Sequence, residues 1–131
     1  INLERMIAFH RHIQLSGGIF TMGLFRSPNP RACGIASLDS NFRILSFVEK
    51  PVEPESDLAN AGIYVSSGEL FDRFPSEVYR FSSEVLDLGY DVLPSLTGRM
   101  FGYLIPEYIR DIGSPEAYLA AQSEWHGAST G

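Results

Sequence analysis

The chain has 131 residues, a length typical of a single domain with one hydrophobic core. Its formal net charge is -6, and it has no basic run that could follow a phosphate backbone, so nucleic acid is not expected as a partner. No apolar stretch approaches the ~20 residues that span a bilayer, which predicts a cytoplasmic protein without a membrane partner. Cys33 is the only cysteine and lies in an apolar segment, which predicts a buried, unreactive thiol.

An amphipathic helix is the first predicted element. Asn2 is a suitable N-cap, and the helix is expected to run to about Leu15, where Ser16, Gly17 and Gly18 stop it. Because the chain enters this helix almost at its first residue, we expect a cut end there. The Gly-, Ser- and Thr-rich residues 127–131 are expected to form a flexible tail after a domain portion spanning residues 1–126.

Apolar runs and turn residues then predict strands that alternate with helical segments. The predicted strands are Ile19–Phe25, Cys33–Leu38, Arg43–Glu49, Ala59–Ser66, Phe101–Ile105 and Tyr108–Ile112. Turn residues 39–41 predict a hairpin of the second and third strands, and the loop Pro51–Asp57 is expected to be exposed. This pattern indicates an α/β fold.

Helical segments are predicted at residues 68–74 and 90–97, whereas residues 83–88 are ambiguous. The final helix has the clearest start, because Ser114 is a suitable N-cap, Pro115 fits the first helical position and Glu116 complements the positive helix end.

The string FVEKP, residues 47–51, places polar chemistry at a strand end. The run Ile44–Val48 is nearly all apolar, which predicts a strand covered on both faces, and Pro51 predicts extended geometry for Lys50. Glu49 and Lys50 are then expected at a carboxyl end of the sheet, where ligands bind in α/β folds. The carboxylate can accept hydrogen bonds from sugar hydroxyls, and the ammonium can neutralise a phosphate. The alternative is an ordinary surface ion pair.

The string NAGIYV, residues 60–65, combines a polar start with an apolar strand. Asn60 offers a donor and an acceptor to a pair of sugar hydroxyls, and Gly62 lets a ring approach the backbone. Alternatively, Asn60 and Gly62 close a turn or mark a β-bulge.

Asp111, in the string RDIGSPEAY, lies between a strand-like run and a helix start. A carboxylate there can hold a hard divalent cation such as Mg²⁺, or it can stabilise the helix start. Histidine-based zinc chemistry is not predicted, because His10 and His12 are two residues apart on a helix and face different directions.

These three strings, in this order, resemble the nucleotidyltransferases that join a sugar 1-phosphate to a nucleoside triphosphate, and most closely the mannose-1-phosphate and heptose-1-phosphate guanylyltransferases. The resemblance covers nearly the whole chain and implies part of a Rossmann-like mixed sheet with flanking helices. It also implies that Lys50 and Asp111 are catalytic, that Asp111 holds Mg²⁺, and that Gly34, Glu49, Lys50, Asn60 and Gly62 contact the sugar phosphate.

The glycine-rich triphosphate loop of that family and its second metal-binding Asp have no counterpart in this sequence. The resemblance therefore implies the carboxyl-terminal half of a catalytic domain, which we expect to be inactive alone and to self-associate or form a homo-oligomer. The alternative is a non-catalytic module that binds a sugar phosphate or a sugar nucleotide.

Overall fold

The computed structural model describes residues 1–73, 88, 92–96, 98–125 and 127. The ambiguous segment 83–88 lies outside this part except for Leu88, and so do residues 90, 91 and 97 and most of the predicted tail.

Helix α1, Leu3–Gln14, forms as predicted. The Asn2 side chain accepts a hydrogen bond of 3.0 Å from the backbone N–H of Arg5 and so caps the helix. Met6, His10 and Ile13 are buried at spacings of four and three residues, which directs one face of the helix onto the sheet. The helix ends at Gln14, and Gly17 follows with a φ of 79°, which only glycine adopts readily.

A mixed sheet of five strands forms the centre of the described chain. The strands are β1 Phe20–Arg26, β2 Gly34–Leu38, β3 Ile44–Glu49, β4 Leu58–Ser66 and β5 Met100–Leu104. Their order across the sheet is β3-β2-β4-β1-β5, in which only β1 and β5 are parallel neighbours. The predicted α/β class with a mixed sheet and flanking helices is therefore confirmed.

The predicted hairpin of β2 and β3 is confirmed, and its turn reaches across to β5. Asp39 Oδ1 accepts hydrogen bonds from the backbone N–H groups of Asn41 and Arg43, which fixes the turn. The Phe42 carbonyl accepts a hydrogen bond of 2.8 Å from the Gly102 N–H, and the Arg43 guanidinium lies 4.8 Å from the centre of the Phe101 ring. These contacts cover part of the outer edge of β5.

The core lies on the sheet face that carries Phe20, Met22 and Leu24 of β1. Short 3₁₀ segments at Gly68–Arg73 and Leu93–Leu96 stand where helical segments were predicted, and they supply Leu70, Leu93 and Leu96 to the core. The final helix, here α2, Pro115–Glu124, starts as predicted, with the Ser114 hydroxyl accepting from the N–H of Ala117. No residue of α2 is buried.

The prediction that Ile44–Val48 is covered on both faces is wrong. β3 is the outermost strand of the sheet, and Leu45 and Val48 are 60% and 50% exposed. Its apolar composition does not reveal its position in the sheet, because strand order is decided by pairing with distant segments.

Lys50 is not extended as predicted, since its φ is 47°, in the left-handed region. The N–H of Lys50 still donates to the Cys33 carbonyl at 3.0 Å, so the chain must turn sharply after this last ladder bond. A non-glycine residue in this region before a proline is strained.

The predicted strand at Tyr108–Ile112 is also wrong, because this segment has no regular secondary structure. Its side chains bond to α2 instead of its backbone pairing with a strand. Cys33, expected to be buried, is only half-buried.

Candidate functional site

A cleft of about 790 Å³ opens at the carboxyl ends of the parallel strands β1 and β5. The polar and charged side chains that line it are Arg26, Ser27, Asn29, Cys33, Glu107, Tyr108, Arg110, Asp111, Ser114 and Glu124. Carboxyl ends of parallel strands are where ligands bind in open α/β sheets. The fold therefore forms a candidate site at this end of the sheet.

Asp111 is the candidate residue that the structure places in this cleft. Its Oδ1 accepts a hydrogen bond of 2.9 Å from the N–H of Gly113, and the carboxylate is exposed. A Cβ atom at position 113 would lie 3.1 Å from Asp111 Oδ1, so the glycine gives the carboxylate room. The Asp111 side chain is thus held three residues before the Ser114 N-cap.

Asp111 suits a magnesium ion in its chemistry but does not complete a site. Mg²⁺ prefers oxygen ligands and is commonly held by one or two carboxylates together with substrate phosphates. Among the residues that the structure describes, no three His, Cys, Asp or Glu side chains are grouped so that they could hold a metal ion. The donor type fits, and phosphate oxygens, water or further carboxylates would have to supply the other ligands.

Glu124, at the end of α2, binds the segment that carries Asp111. Its Oε1 accepts from Arg110 Nη2 at 2.5 Å, and its Oε2 accepts from Arg110 Nε at 3.0 Å and from the Tyr108 hydroxyl at 2.8 Å. The hydrogen bonds from Arg110 and then from Tyr108 hold the pKa of Glu124 below its usual range. Glu124 is therefore an ionised acceptor that joins α2 to the cleft wall.

The opposite wall is formed by the loop after β1. Arg26 Nη1 donates to Asp57 Oδ1 at 2.6 Å, and the Ser27 hydroxyl accepts from the N–H of Asn29 at 3.1 Å. The Cys33 thiol lies 3.4 Å from that hydroxyl. This wall supplies a guanidinium and small polar groups to the cleft.

Gly34 and Glu49 are direct partners in the ladder of β2 and β3. A Cβ atom at position 34 would lie 2.6 Å from both Glu49 Oε2 and Phe47 Cζ, so only glycine fits without displacing one of them. The β2–β3 hairpin thus brings these two candidate residues together.

Asn60 and Gly62 form a bulge in β4. β1 pairs Met22 with Tyr64 and Leu24 with Asn60, so three β4 residues lie opposite one β1 residue. Asn60 Oδ1 accepts from the N–H of Gly62 at 2.9 Å, and Asn60 Nδ2 donates to the Tyr64 hydroxyl at 2.7 Å. Gly62 has a φ of 70°. The bulge that the sequence left open as an alternative is thus present.

The sheet brings the candidate residues towards one end. Ile35 pairs with Ala59, which sets Gly34 and Asn60 at adjacent positions of β2 and β4. Lys50 bonds through its backbone to Cys33, which lines the cleft. Gly34, Glu49, Lys50, Asn60 and Gly62 do not themselves line the cleft that contains Asp111.

Sequence reasoning missed Arg26, Tyr108, Arg110 and Glu124. Arg110 and Glu124 are fourteen residues apart, and their contact depends on the folding of the intervening segment along α2. No local pattern reveals such a pair.

Comparison with solved structures supports the fold. A chain from Bacillus anthracis described as a glucose-1-phosphate thymidylyltransferase, in complex with a sucrose, superposes with a TM-score of 0.67 at 19% identity. The match covers 88% of this chain and 47% of that one. None of the helices in the described part of the chain has the length and apolar character of a membrane span.

Comparison with curated proteins finds relatives along nearly the whole chain. A glucose-1-phosphate adenylyltransferase of Fusobacterium nucleatum is 29% identical over 95% of this chain and 33% of its own length. A mannose-1-phosphate guanylyltransferase of Mycobacterium tuberculosis is 29% identical over 94% and 33%, and a glucose-1-phosphate adenylyltransferase of Thermotoga neapolitana is 32% identical over 95% and 30%. The chain thus spans about a third of the length of these relatives.

The family model described as nucleotidyl transferase matches residues 1–127. The resemblance inferred from three short strings is therefore confirmed, and the chain belongs to the nucleotidyl transferase family, among the sugar-phosphate nucleotidyltransferases.

Proposed function

We propose that the protein carrying this chain transfers a nucleotidyl group from a nucleoside triphosphate to a sugar 1-phosphate and releases pyrophosphate. A phosphate oxygen of the sugar 1-phosphate attacks the α-phosphorus and forms a new P–O bond. The bond from the α-phosphorus to the bridging oxygen breaks, and pyrophosphate leaves with the electron pair. The observation that carries the proposal is Asp111 in a cleft at the carboxyl ends of β1 and β5, in a chain of this family.

In this proposal the residues of β2, β3 and β4 bind the sugar phosphate. Glu49 accepts hydrogen bonds from sugar hydroxyls, and Gly34 keeps the surface beside it open. Asn60 retains one N–H and one lone pair beyond its bonds to Gly62 and Tyr64, so it can bind a further hydroxyl.

Lys50 is assigned to the phosphate of the sugar 1-phosphate. It is the only lysine of the chain, it is exposed, and its left-handed backbone is a strained conformation of the kind that clusters at functional sites. Its ammonium would offset charge on the phosphate as the reaction proceeds. Asp111 would hold Mg²⁺, which when bound offsets the negative charge of the triphosphate.

We expect Lys50→Ala to raise the Michaelis constant for the sugar 1-phosphate and to lower turnover in the full-length protein. Loss of a charge-assisted hydrogen bond costs ~1.5 to 3 kcal/mol, or about tenfold to 100-fold in kcat/KM. Steady-state kinetics of pyrophosphate release measure this change. Arg31→Ala is the control, because Arg31 is an exposed cation that is not among the residues assigned to the sugar phosphate. Unchanged constants in Lys50→Ala would refute the assignment.

Asp111→Asn is expected to abolish most magnesium-dependent turnover while leaving the melting temperature nearly unchanged. The asparagine oxygen can still accept from the N–H of Gly113, so the substitution removes the charge and keeps the turn. Asp39→Asn is a matched control, because Asp39 makes the same kind of turn in the β2–β3 hairpin, away from the cleft. A large fall in melting temperature with turnover retained would exclude the metal role.

A non-catalytic sugar-phosphate or sugar-nucleotide binding module is the second candidate. The observation that favours it is that candidate sugar-phosphate residues such as Glu49 and Asn60 do not line the cleft that contains Asp111. Sugar 1-phosphate binding to the full-length protein without pyrophosphate release would support this module over the enzyme.

A further inference from the structure

The segment between β5 and α2 carries Asp111 but has no regular secondary structure of its own. Residues 108–114, here called the strap, make no strand pairing, and α2 contributes no buried residue beside it. The position of Asp111 must therefore be fixed by individual side-chain contacts. Those contacts lie at the two ends of the strap.

At its carboxyl-terminal end, the strap is held by Ser114, whose hydroxyl caps α2 by accepting from the N–H of Ala117. At its amino-terminal end, the strap is held by Glu124 of α2, which binds Arg110 through two hydrogen bonds and Tyr108 through one. The Tyr108 ring also lies 6.1 Å from the Trp125 ring, centre to centre. Asp111 lies between these two attachments.

The strap is short between its two attachments. Arg110 and Ser114 are separated by only three residues, of which Asp111 is the first. Within this stretch the Asp111 carboxylate closes a turn with the N–H of Gly113. Loss of the contacts to Glu124 would therefore leave Asp111 attached on its carboxyl-terminal side only.

We propose that Glu124 is a positioning residue, which tethers Arg110 and Tyr108 to the end of α2 and thereby fixes the Asp111 carboxylate in the cleft. The role of this position in metal binding rests on the proposed function, whereas the tether itself does not. Glu124 touches neither substrate nor metal in this proposal.

The structure offers a matched control for loss of an exposed ion pair. Arg99 and Glu69 form another two-bonded pair, with side chains 31% and 46% exposed, against 29% and 42% for Arg110 and Glu124. Glu69→Gln removes a charge of the same kind without touching the strap.

The test compares Glu124→Ala, the milder Tyr108→Phe, and Glu69→Gln by amide hydrogen exchange in the 131-residue chain. The N–H of Gly113 reports Asp111 directly, because it donates to Asp111 Oδ1. Exposed ion pairs contribute little to stability, so we expect Gly113 to exchange only about two- to fivefold faster in Glu124→Ala. Tyr108→Phe should have a smaller effect and Glu69→Gln none. Trp125, the only tryptophan, should become more accessible to a fluorescence quencher in Glu124→Ala.

The second measurement is the Mg²⁺ concentration that gives half-maximal activity in the full-length protein. Glu124→Ala should raise it by about two- to fivefold while turnover at saturating Mg²⁺ is largely kept. Gly113 exchange that is unchanged in both Glu124→Ala and Tyr108→Phe, or lowered turnover with an unchanged Mg²⁺ requirement, would overturn the proposal. Faster Gly113 exchange together with a fully active Asp111→Asn would support the tether and refute the proposed metal role.

Discussion

His10 is a polar side chain that is buried between α1 and the sheet. It is 4% exposed, and its Nδ1 lies 2.9 Å from Thr21 Oγ1 on β1. Its Nε2 has no hydrogen-bond partner among the described residues. Burial lowers the pKa of His10 below the ordinary value, because the charged imidazolium loses its hydration. Burial therefore favours the neutral form of His10 in the folded protein.

We expect the free energy of unfolding to fall as the pH drops below about 6.5, the ordinary pKa of histidine. Below that pH the unfolded chain takes up a proton that the folded chain binds only at lower pH, so protonation favours the unfolded state. Denaturant unfolding at about pH 7.5 and about pH 5.5 measures this loss.

His10→Asn should be less stable at both pH values but should lose less stability between them. His12→Asn should keep the wild-type dependence, because His12 is exposed on the same helix. An identical loss in wild type and His10→Asn would show that His10 is not responsible. The sequence analysis considered the two histidines only as a zinc pair and excluded that role. It could not predict that His10 is buried, because the neighbouring residues do not show which face of the helix the sheet covers.

At the scale of elements, the sequence predicted those helices and turns whose formation depends on residues close together in the chain. Asn2 and Ser114 are side-chain caps, and Asp39 fixes a hairpin turn, so α1, α2 and the β2–β3 hairpin were predictable from short strings. The predictions failed where a distant partner decides the outcome. β3 is as apolar as a central strand but stands at the edge, and Tyr108–Ile112 is strand-like but is held by α2 through side chains.

The candidate site could likewise be predicted from the sequence only in part. The strings around Glu49, Asn60 and Asp111 could be found because the family resemblance covers them. Their geometry could be predicted only in part. The bulge at Gly62 was one of the alternatives that the sequence left open, whereas the left-handed φ of Lys50 contradicts the local rule for a residue before proline. The tether from Glu124 depends on the path of the whole strap, so it became visible only in three dimensions.

At the scale of the whole molecule, the sheet leaves one edge open. β1 does not lie at an edge, because it pairs with β4 on one side and with β5 on the other. In the described part of the chain, the outer edge of β3 is met only by the bridge between Arg43 and Phe101. Beyond that bridge, β3 presents unpaired backbone groups and exposed apolar side chains.

We therefore expect the 131-residue chain to self-associate at high micromolar concentration through the edge of β3. Unpaired strand edges with apolar side chains are templates for pairing with another chain, and a charged residue on the edge opposes that pairing. Light scattering should give an average mass above the 14.6 kDa of the monomer, and Leu45→Lys or Val48→Lys should return it to that value. Leu15→Lys is the control, because Leu15 is 84% exposed at the end of α1, away from this edge. A wild-type chain that stays monomeric, or one dispersed equally well by Leu15→Lys, would rule out the β3 edge as the interface.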